Sequence, residues 1–378
     1  MSSAALPGLL TSTADVAHLA ASLAGSGRFA LDLEFLSADR LVPDLALVQL
    51  AWGAAEAPEV AAVDPLAVAI DPLVELVASP AVEKILHAAQ GDLSLLATLY
   101  GVEAKSVVDT QLAAAFAGLG ESLGYAKLVA ELLGVELDKG LQFTNWRERP
   151  LPEDKLRYAL DDVRHLPAVW QLLEARLATL GRLEWLREDS ARLAAAAARR
   201  YPPSEAYRRF GLWQRLPPRQ LGVLAVLAEW REEQAVAANR PLFWIIKDRA
   251  MLEMARRQPG TLEELKAVSD LPEGVVARRG RELLALIRRG RSQPVPAPGA
   301  PQPPKELRQQ LGTIVEKVAE SLGLASYRVA PKGEIDALYA WARNGAPAEE
   351  PPLALLNGWR RAFVGEALME VLGVSDRA

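Results

Sequence analysis

The chain reads as an α/β domain built on a mixed sheet, followed by two all-helical domains. Three observations predict this. Up to about residue 200, short runs of alternating apolar residues are interleaved with segments of helical periodicity. Beyond the Tyr201-Pro202-Pro203 break, helical periodicity takes over. A proline-rich stretch, SQPVPAPGAPQPP, then sets off a last helical portion. The expected domains are 1–205, 206–292 and 305–378, with a semi-rigid linker at 293–304.

TSTADVAHLAASLAG carries Ser or Thr ahead of an apolar-periodic run, which predicts a capped helix. In 28–36, Phe29, Leu31, Leu33 and Phe35 alternate with smaller or polar residues, the period of a strand. Further strands are expected at 45–52, 59–64, 84–87 and 106–108. The first three follow one another directly, so they should form an antiparallel meander. The later two alternate with helices expected at 69–79, 92–100, 109–118 and 123–134, and helices at 153–174 and 178–199 complete the domain.

From Pro217, RQLGVLAVLAEWREEQAVAANRP forms a long helix with a wide apolar stripe, ending at Asn239-Arg240-Pro241. KDRAMLEMARRQPG is a shorter helix stopped by Pro259-Gly260, and GRELLALIRRG closes the domain. After the linker, KELRQQLGTIVEKVAESLGL, PKGEIDALYAWA and LLNGWRRAFVGEALMEVLG repeat that order of long, short and glycine-led helices. The last domain is therefore expected to be a degenerate copy of the one before it.

The composition fits a soluble enzyme, expected in the cytoplasm: 378 residues, 50% hydrophobic and 24% charged. No apolar run reaches the ~18–20 residues of a membrane span, and MSSAALPGLLTSTADVAHL lacks the basic start of a signal peptide. With no cysteine, disulfides and thiolate zinc sites are excluded. His18, His87 and His165 are too scattered for a zinc finger. The net charge of −5 conceals an asymmetry. Residues 1–110 hold 4 Lys/Arg against 14 Asp/Glu, a balance of −10, whereas 208–291 hold 17 against 10, a balance of +7. The basic part is suited to attracting phosphates.

Four acids and one tyrosine carry the chemistry. Asp32 and Glu34 lie two apart on one strand and so project to the same face. Paired carboxylates repel unless protonated or bridged by a cation, and oxygen-only ligands suit Mg2+ or Mn2+. Taken alone, the pair also fits a solvated strand face. Asp92 opens DLSLLATLYGV and by itself fits a helix N-cap. Tyr158 and Asp162 are at i and i+4 in a helical run, on one face, with Asp161 rotated about 100° away. His165 falls on the Tyr158/Asp162 face, where a surface or capping role is the simpler reading.

These segments resemble the three exonuclease motifs of the DEDD superfamily, in its tyrosine-bearing branch, and are most similar to the ribonuclease D family. Asp-x-Glu, His-x4-Asp and Tyr-x3-Asp occur in the family's order. PDLALVQLAW, VVDTQLAAAF, SLGYAKLVAELLGVELDK and NWRERPL are also family-like. Leu33, in place of a threonine, and Gly91, in place of a bulkier residue, depart from the pattern. The resemblance covers about the first 200 residues and implies a ribonuclease H-like fold. The helical segment at about 210–292 resembles the HRDC domain, a small nucleic-acid-binding module.

The resemblance implies that Asp32 bridges two divalent metal ions. Glu34 and Asp162 would complete the site of the metal that activates water, and Asp92 would help hold the second. Tyr158 would orient the attacking water; an ordinary phenol, with a pKa of about 10, is a poor base at neutral pH. The implied activity is 3′–5′ exoribonucleolytic release of nucleoside 5′-monophosphates, with tRNA precursors as RNA substrate; a monomer is the default expectation, on which the sequence is silent. Two alternatives stay open: a 3′–5′ DNA exonuclease of the same superfamily, and a catalytically inactive RNA-binding relative. The nominated substrate contacts are Leu36 as a wedge on the terminal base, His87, Arg147, Lys247, Arg249, Arg278 and Arg279. His87 equally fits a buried, hydrogen-bonded role. Arg147 and Arg149 could hold phosphates or brace their loop. Trp244 could stack a base, but its FWII context places it in the core.

Overall fold

A computed structural model describes residues 8–36, 39–137, 144–211, 213–293, 302–347 and 353–374. Two compact units result: residues 1–36, 43–199 and 303–378 form the first, and 37–42 with 200–302 the second. The linker expected at 293–304 falls largely outside the described residues.

The first unit begins with β1 (Leu9–Leu10), α1 (Thr13–Ser26), β2 (Arg28–Leu36), β3 (Asp44–Trp52) and β4 (Glu59–Val63). It continues with α2 (Asp71–Ala78), β5 (Glu83–Leu86), α3 (Gln90–Tyr100), β6 (Val107–Asp109), α4 (Thr110–Phe116) and α5 (Tyr125–Leu133). Helices α6 (Glu153–Arg164), α7 (Leu166–Thr179) and α8 (Leu183–Ala198) follow. The six-stranded sheet has the order β1-β4-β3-β2-β5-β6. The expected meander is present: β3 pairs antiparallel with both β2 and β4, while β2–β5 and β5–β6 are parallel. The edge strand β1, parallel to β4, was not anticipated, because two residues are too few to show a period.

Pleating assigns the two faces of β2. Phe29, Leu31 and Leu33 pack with Val16, Leu19 and Leu23 of α1 and Leu93 and Leu96 of α3. On the opposite face, Ala30 packs with Val163, Val169 and Trp170, while Leu47 and Ala62 meet Ala159 and Leu160 of α6. The face bearing Asp32 and Glu34 is therefore the one that receives α6. Leu33, the departure from the family pattern, is buried on the far side.

Two expected helices differ. The run at 153–174 is two helices that break at His165, because Pro167 lacks an N–H and its ring crowds the carbonyl four residues back. The helix at 178–199 starts only at Leu183, after a turn at Gly181 with φ +67°.

The second unit contains α9 (Pro218–Ala238), α10 (Leu242–Ile245), α11 (Asp248–Arg257), α12 (Leu262–Lys266) and α13 (Glu273–Ser292). Helices α9 and α13 cross with their backbones touching: a Cβ on Gly222 would lie 2.5 Å from the Gly290 carbonyl oxygen, and one on Gly290 would lie 2.5 Å from the Val223 Cα. Trp230 seals the crossing by donating to Glu282 at 2.7 Å.

The last segment, α14 (Lys305–Leu322), α15 (Ser326–Val329), α16 (Lys332–Arg343), α17 (Gly358–Arg360) and α18 (Glu366–Val371), was expected as a separate domain. Instead it belongs to the first unit. Leu311, Val315, Leu355, Trp359 and Leu368 share one hydrophobic cluster with Phe116, Leu128, Trp170 and Leu186. Trp359 stacks on Trp185 with centroids 4.6 Å apart. Arg360 grips Asp189 at 2.5 and 2.8 Å, and Arg328 binds Glu121 at 2.9 Å. Arg182 donates to the carbonyls of both Phe116 and Leu322. So short a helical segment buries too little by itself, and sharing a core supplies the missing burial.

Candidate active site

The site is assembled by β2, α3 and α6. Asp32 faces Gln49 of β3 in register, and Glu34 faces Leu47. A register shift follows between Glu34 and Phe35, which ends the regular pleat just past the acids. Asp162 comes from the helix that covers this face. One carboxylate oxygen from each of Asp32, Glu34 and Asp162 lies within 4.8 Å of the others.

Taken alone Asp92 fits an N-cap, but α3 starts earlier, at Gln90, so Asp92 sits buried in the first turn. From there its charge acts on both Asp32 and Glu34. Gly91 leaves that turn intact, with nothing within 4 Å of where a Cβ would lie. Tyr158 is one turn ahead of Asp162 on α6, its ring 6.3 Å from that of Trp146. Asp161 points elsewhere and pairs with Arg164 at 2.9 Å. His165 occupies the joint between α6 and α7.

The electrostatics of this cluster are unfavourable in protein alone. Burial, reinforced by Asp92, Asp162 and Glu34, pushes Asp32 well above the usual carboxylate range. Glu34 is raised to about 8 by burial and then by Asp162 and Asp92. Asp92 is raised to about 7 by burial and Asp109, and Asp162 to about 7 by burial and Asp161. Gln49 sharpens the point: it is fully buried opposite Asp32, and neither amide atom has a hydrogen-bond partner among the described residues. Clustered carboxylates beside an unsatisfied amide fit hard divalent cations with their ordered water.

Three supporting residues were not singled out in the sequence. Asp109 accepts from the backbone N–H groups of Ala88, Ala89 and Gln111 at 3.1, 2.9 and 2.8 Å. It thereby ties the start of α3, and with it Asp92, to the end of β6. Tyr125 donates to the Asp161 carbonyl at 3.1 Å, holding α6 beside Asp162. Gln49 is the third. The available signals were a helix cap after VVD and a lone amide inside the apolar run LALVQLAW.

The nominated contacts separate. Arg149 is a brace: it binds Asp64 at 2.5 and 2.8 Å, the Ala46 carbonyl at 2.7 Å and the Trp146 carbonyl at 2.8 Å. Arg147 is paired with Asp44 at 3.0 Å but stays 41% exposed. His87 is half-buried, with Nδ1 2.9 Å from the Thr110 hydroxyl and its ring against Tyr125. Leu36 ends β2, half-buried. Lys247 and Arg249 are exposed beside Asp270 at 4.0 and 3.5 Å. Arg278 is exposed, and Arg279 pairs with Glu282 at 3.0 Å.

A mixed sheet with an acid cluster between its central strand and a covering helix fits a metal-dependent phosphodiesterase. The profile of the 3′–5′ exonuclease family matches residues 9–178, and that of the HRDC domain matches 220–287. Ribonuclease D of Pseudomonas paraeruginosa is 39% identical over 350 residues, covering 91% of both chains. That of Gluconacetobacter diazotrophicus is 35% identical over 385 residues, covering 98% of this chain and 93% of the relative. The crystal structure of Escherichia coli RNase D, described as an exoribonuclease involved in structured RNA processing, superposes with a TM-score of 0.82 at 26% identity. It covers 97% of this chain and 98% of that one. The chain belongs to the ribonuclease D family, a family of 3′–5′ exoribonucleases.

Proposed function

We propose that the chain hydrolyses RNA from its 3′ end, releasing nucleoside 5′-monophosphates with the help of two divalent cations, and that its substrates are structured RNAs, tRNA precursors above all. The observation that carries this reading is the mutual approach of Asp32, Glu34 and Asp162 within 4.8 Å. Asp32, Glu34, Asp92 and Asp162 would hold Mg2+ or Mn2+. Bound there, the cations supply charge neutralisation at the attacking and leaving oxygens of the phosphodiester. A water oxygen, giving up a proton to solvent, forms a bond to the terminal phosphorus while the P–O3′ bond breaks. The displaced oxygen takes up a proton from solvent and leaves as the new 3′-hydroxyl. Tyr158, one turn from Asp162, orients that water by hydrogen bonding and does not need to ionise. Asp109 and Tyr125 act through others, holding Asp92 and Asp162 on aim. Lys247, Arg249, Arg278 and Arg279 contact phosphates, as does Arg147, which precedes the helix that carries Tyr158. We also infer that α14–α18 descend from a second, degenerate HRDC-like copy, on the strength of the shared order of a long helix, a one-turn helix and a medium helix.

The direct test is incubation of 5′-labelled RNA and matched DNA, each with an unpaired 3′ tail, in Mg2+, Mn2+ or EDTA. A metal-dependent ladder on RNA is expected. Preferential shortening of DNA would overturn the substrate assignment, and binding without shortening would make the chain an inactive relative. Asp32→Asn should lower kcat by roughly 10²–10³-fold, the scale of losing one preorganised electrostatic contact. Tyr158→Phe should lower kcat while leaving Mn2+ affinity, read by calorimetry, unchanged.

A further inference from the structure

Within the second unit, α10 presents its aromatics to solvent: Phe243 is 61% exposed and Trp244 52%. The sequence context pointed to core packing, but a one-turn helix can bury only one side. Here Ile246, just beyond the turn, takes the buried position. The two rings lie edge to face, 6.4 Å apart. The Arg240 guanidinium sits over the Trp244 ring at 5.2 Å. Trp244 and Ile245 form one wall of a groove of about 430 Å3, closed by the last turn of α9 at Gln234 and by Arg278 and Arg279 of α13.

We infer that this groove is a stacking site for the bases of single-stranded RNA, a second point of attachment that rests on the nuclease reading above. Two exposed aromatics beside three arginines match a base and its flanking phosphates in both shape and charge. Glu282 neutralises part of Arg279, and Asp39 accepts from Arg240, yet the segment 208–291 still carries a surplus of seven positive charges. Stacking is tolerant of sequence, because every base has a π-face. The groove therefore recognises that the strand is unpaired and not which bases it holds. An acidic protein partner is the competing occupant.

The test uses the full chain in EDTA, where RNA is bound but not cut, with fluorescence anisotropy of a labelled oligo(U) 12-mer and of a blunt RNA duplex. Trp244→Ala should weaken oligo(U) binding about 10-fold, while Trp244→Phe keeps most of the affinity. Duplex binding should not change. Arg278→Ala should reduce the slope of log Kd against log salt by about 0.7, which Trp244→Ala should not. Unchanged oligo(U) affinity in Trp244→Ala, or equal losses for strand and duplex, would overturn the proposal. Metal-dependent degradation of a trinucleotide, too short to span two sites, is measured on the same preparations. If wild type degrades it while Trp244→Ala binds oligo(U) normally, the groove fails and the nuclease reading stands. If wild type shortens neither the trinucleotide nor a 3′-tailed RNA in Mg2+ or Mn2+, the nuclease reading itself fails.

Discussion

The two helical segments follow the same order of elements and use aromatics and arginines in opposite ways. In the first, the one-turn helix α10 leaves Phe243 and Trp244 exposed, and Lys247 and Arg249 remain 63% and 77% exposed beside a single aspartate. In the second, the one-turn helix α15 directs Tyr327 and Arg328 onto Glu121 of the α/β domain. Arg360 and Asp189 are only 5% and 11% exposed, and Trp359 is buried against Trp185 and Phe116. The first segment buries Trp230 and Arg231 but keeps the α10 rings and nearby cations available for a ligand, while the second uses Arg328, Arg360 and Trp359 as fastenings and leaves Tyr327 57% exposed. The same residue types become binding surface or scaffold according to what lies against them.

The largest effects should come from the fastened segment. Trp359→Ala should destabilise the fold by about 3–5 kcal/mol through lost burial and the cavity it leaves. Arg360→Ala should cost a similar ~3–5 kcal/mol, because Asp189 is then buried without a counter-charge. Urea denaturation measures both. If either variant melted the C-terminal segment alone and left the nuclease domain at wild-type stability, the shared core would be refuted.

Metal binding sharpens the contrast at the next level. Mn2+ at a hundredfold excess over its Kd should stabilise the first unit by about 2.7 kcal/mol. Hydrogen exchange should then slow in the core of 305–374 as well as in β2, and stay unchanged in 218–292. The effect should depend on pH in a definite direction. Folded Asp92 and Asp162 are raised to about 7 and Glu34 to about 8, against unfolded carboxyls near ~4. Without metal, the folded state binds more protons than the unfolded chain between those values. The cluster's contribution is fully present below about pH 4 and is lost as pH rises through 7 to 8. At one fixed Mn2+ concentration the gain should accordingly be greater at pH 8 than at pH 5, and a pH-independent gain would place the ion elsewhere.

Arg328→Ala leaves Glu121 a partly exposed carboxylate, so about 1–2 kcal/mol is expected. Smallest of all, Trp244→Ala should change stability by less than about 0.5 kcal/mol while it weakens RNA binding. A large loss of stability there would mean that the first segment's aromatics are fastenings too.

Much of the nuclease domain was legible. Alternation located β2, the other expected strands fall within one or two residues of β3 to β6, and the spacing of Asp32 with Glu34 and of Tyr158 with Asp162 placed each pair on one face. The illegible parts share a cause. Trp244 sits in FWII, which is as apolar as a core strand, and only the length of α10 decides that the ring stays outside. Arg149 has the residue type of a phosphate ligand, and only its proximity to Asp64 makes it a brace. Local pattern alone fitted Asp92 to a cap, whereas α3 begins at Gln90, next to the Ala89 N–H that Asp109 holds from β6.

What the sequence by itself determined is local: strand and helix periods, the face each acid occupies, the absence of cysteine and the charge surplus of 208–291. These follow from bond geometry and composition over a few residues. Tertiary structure decided what depends on distant partners. It brought Asp162 from α6 to within 4.8 Å of Asp32 and Glu34. It also made the last helices part of the nuclease core and left the α10 aromatics in solvent. Burial and pairing are properties of two surfaces together, and the second surface lies far away along the chain.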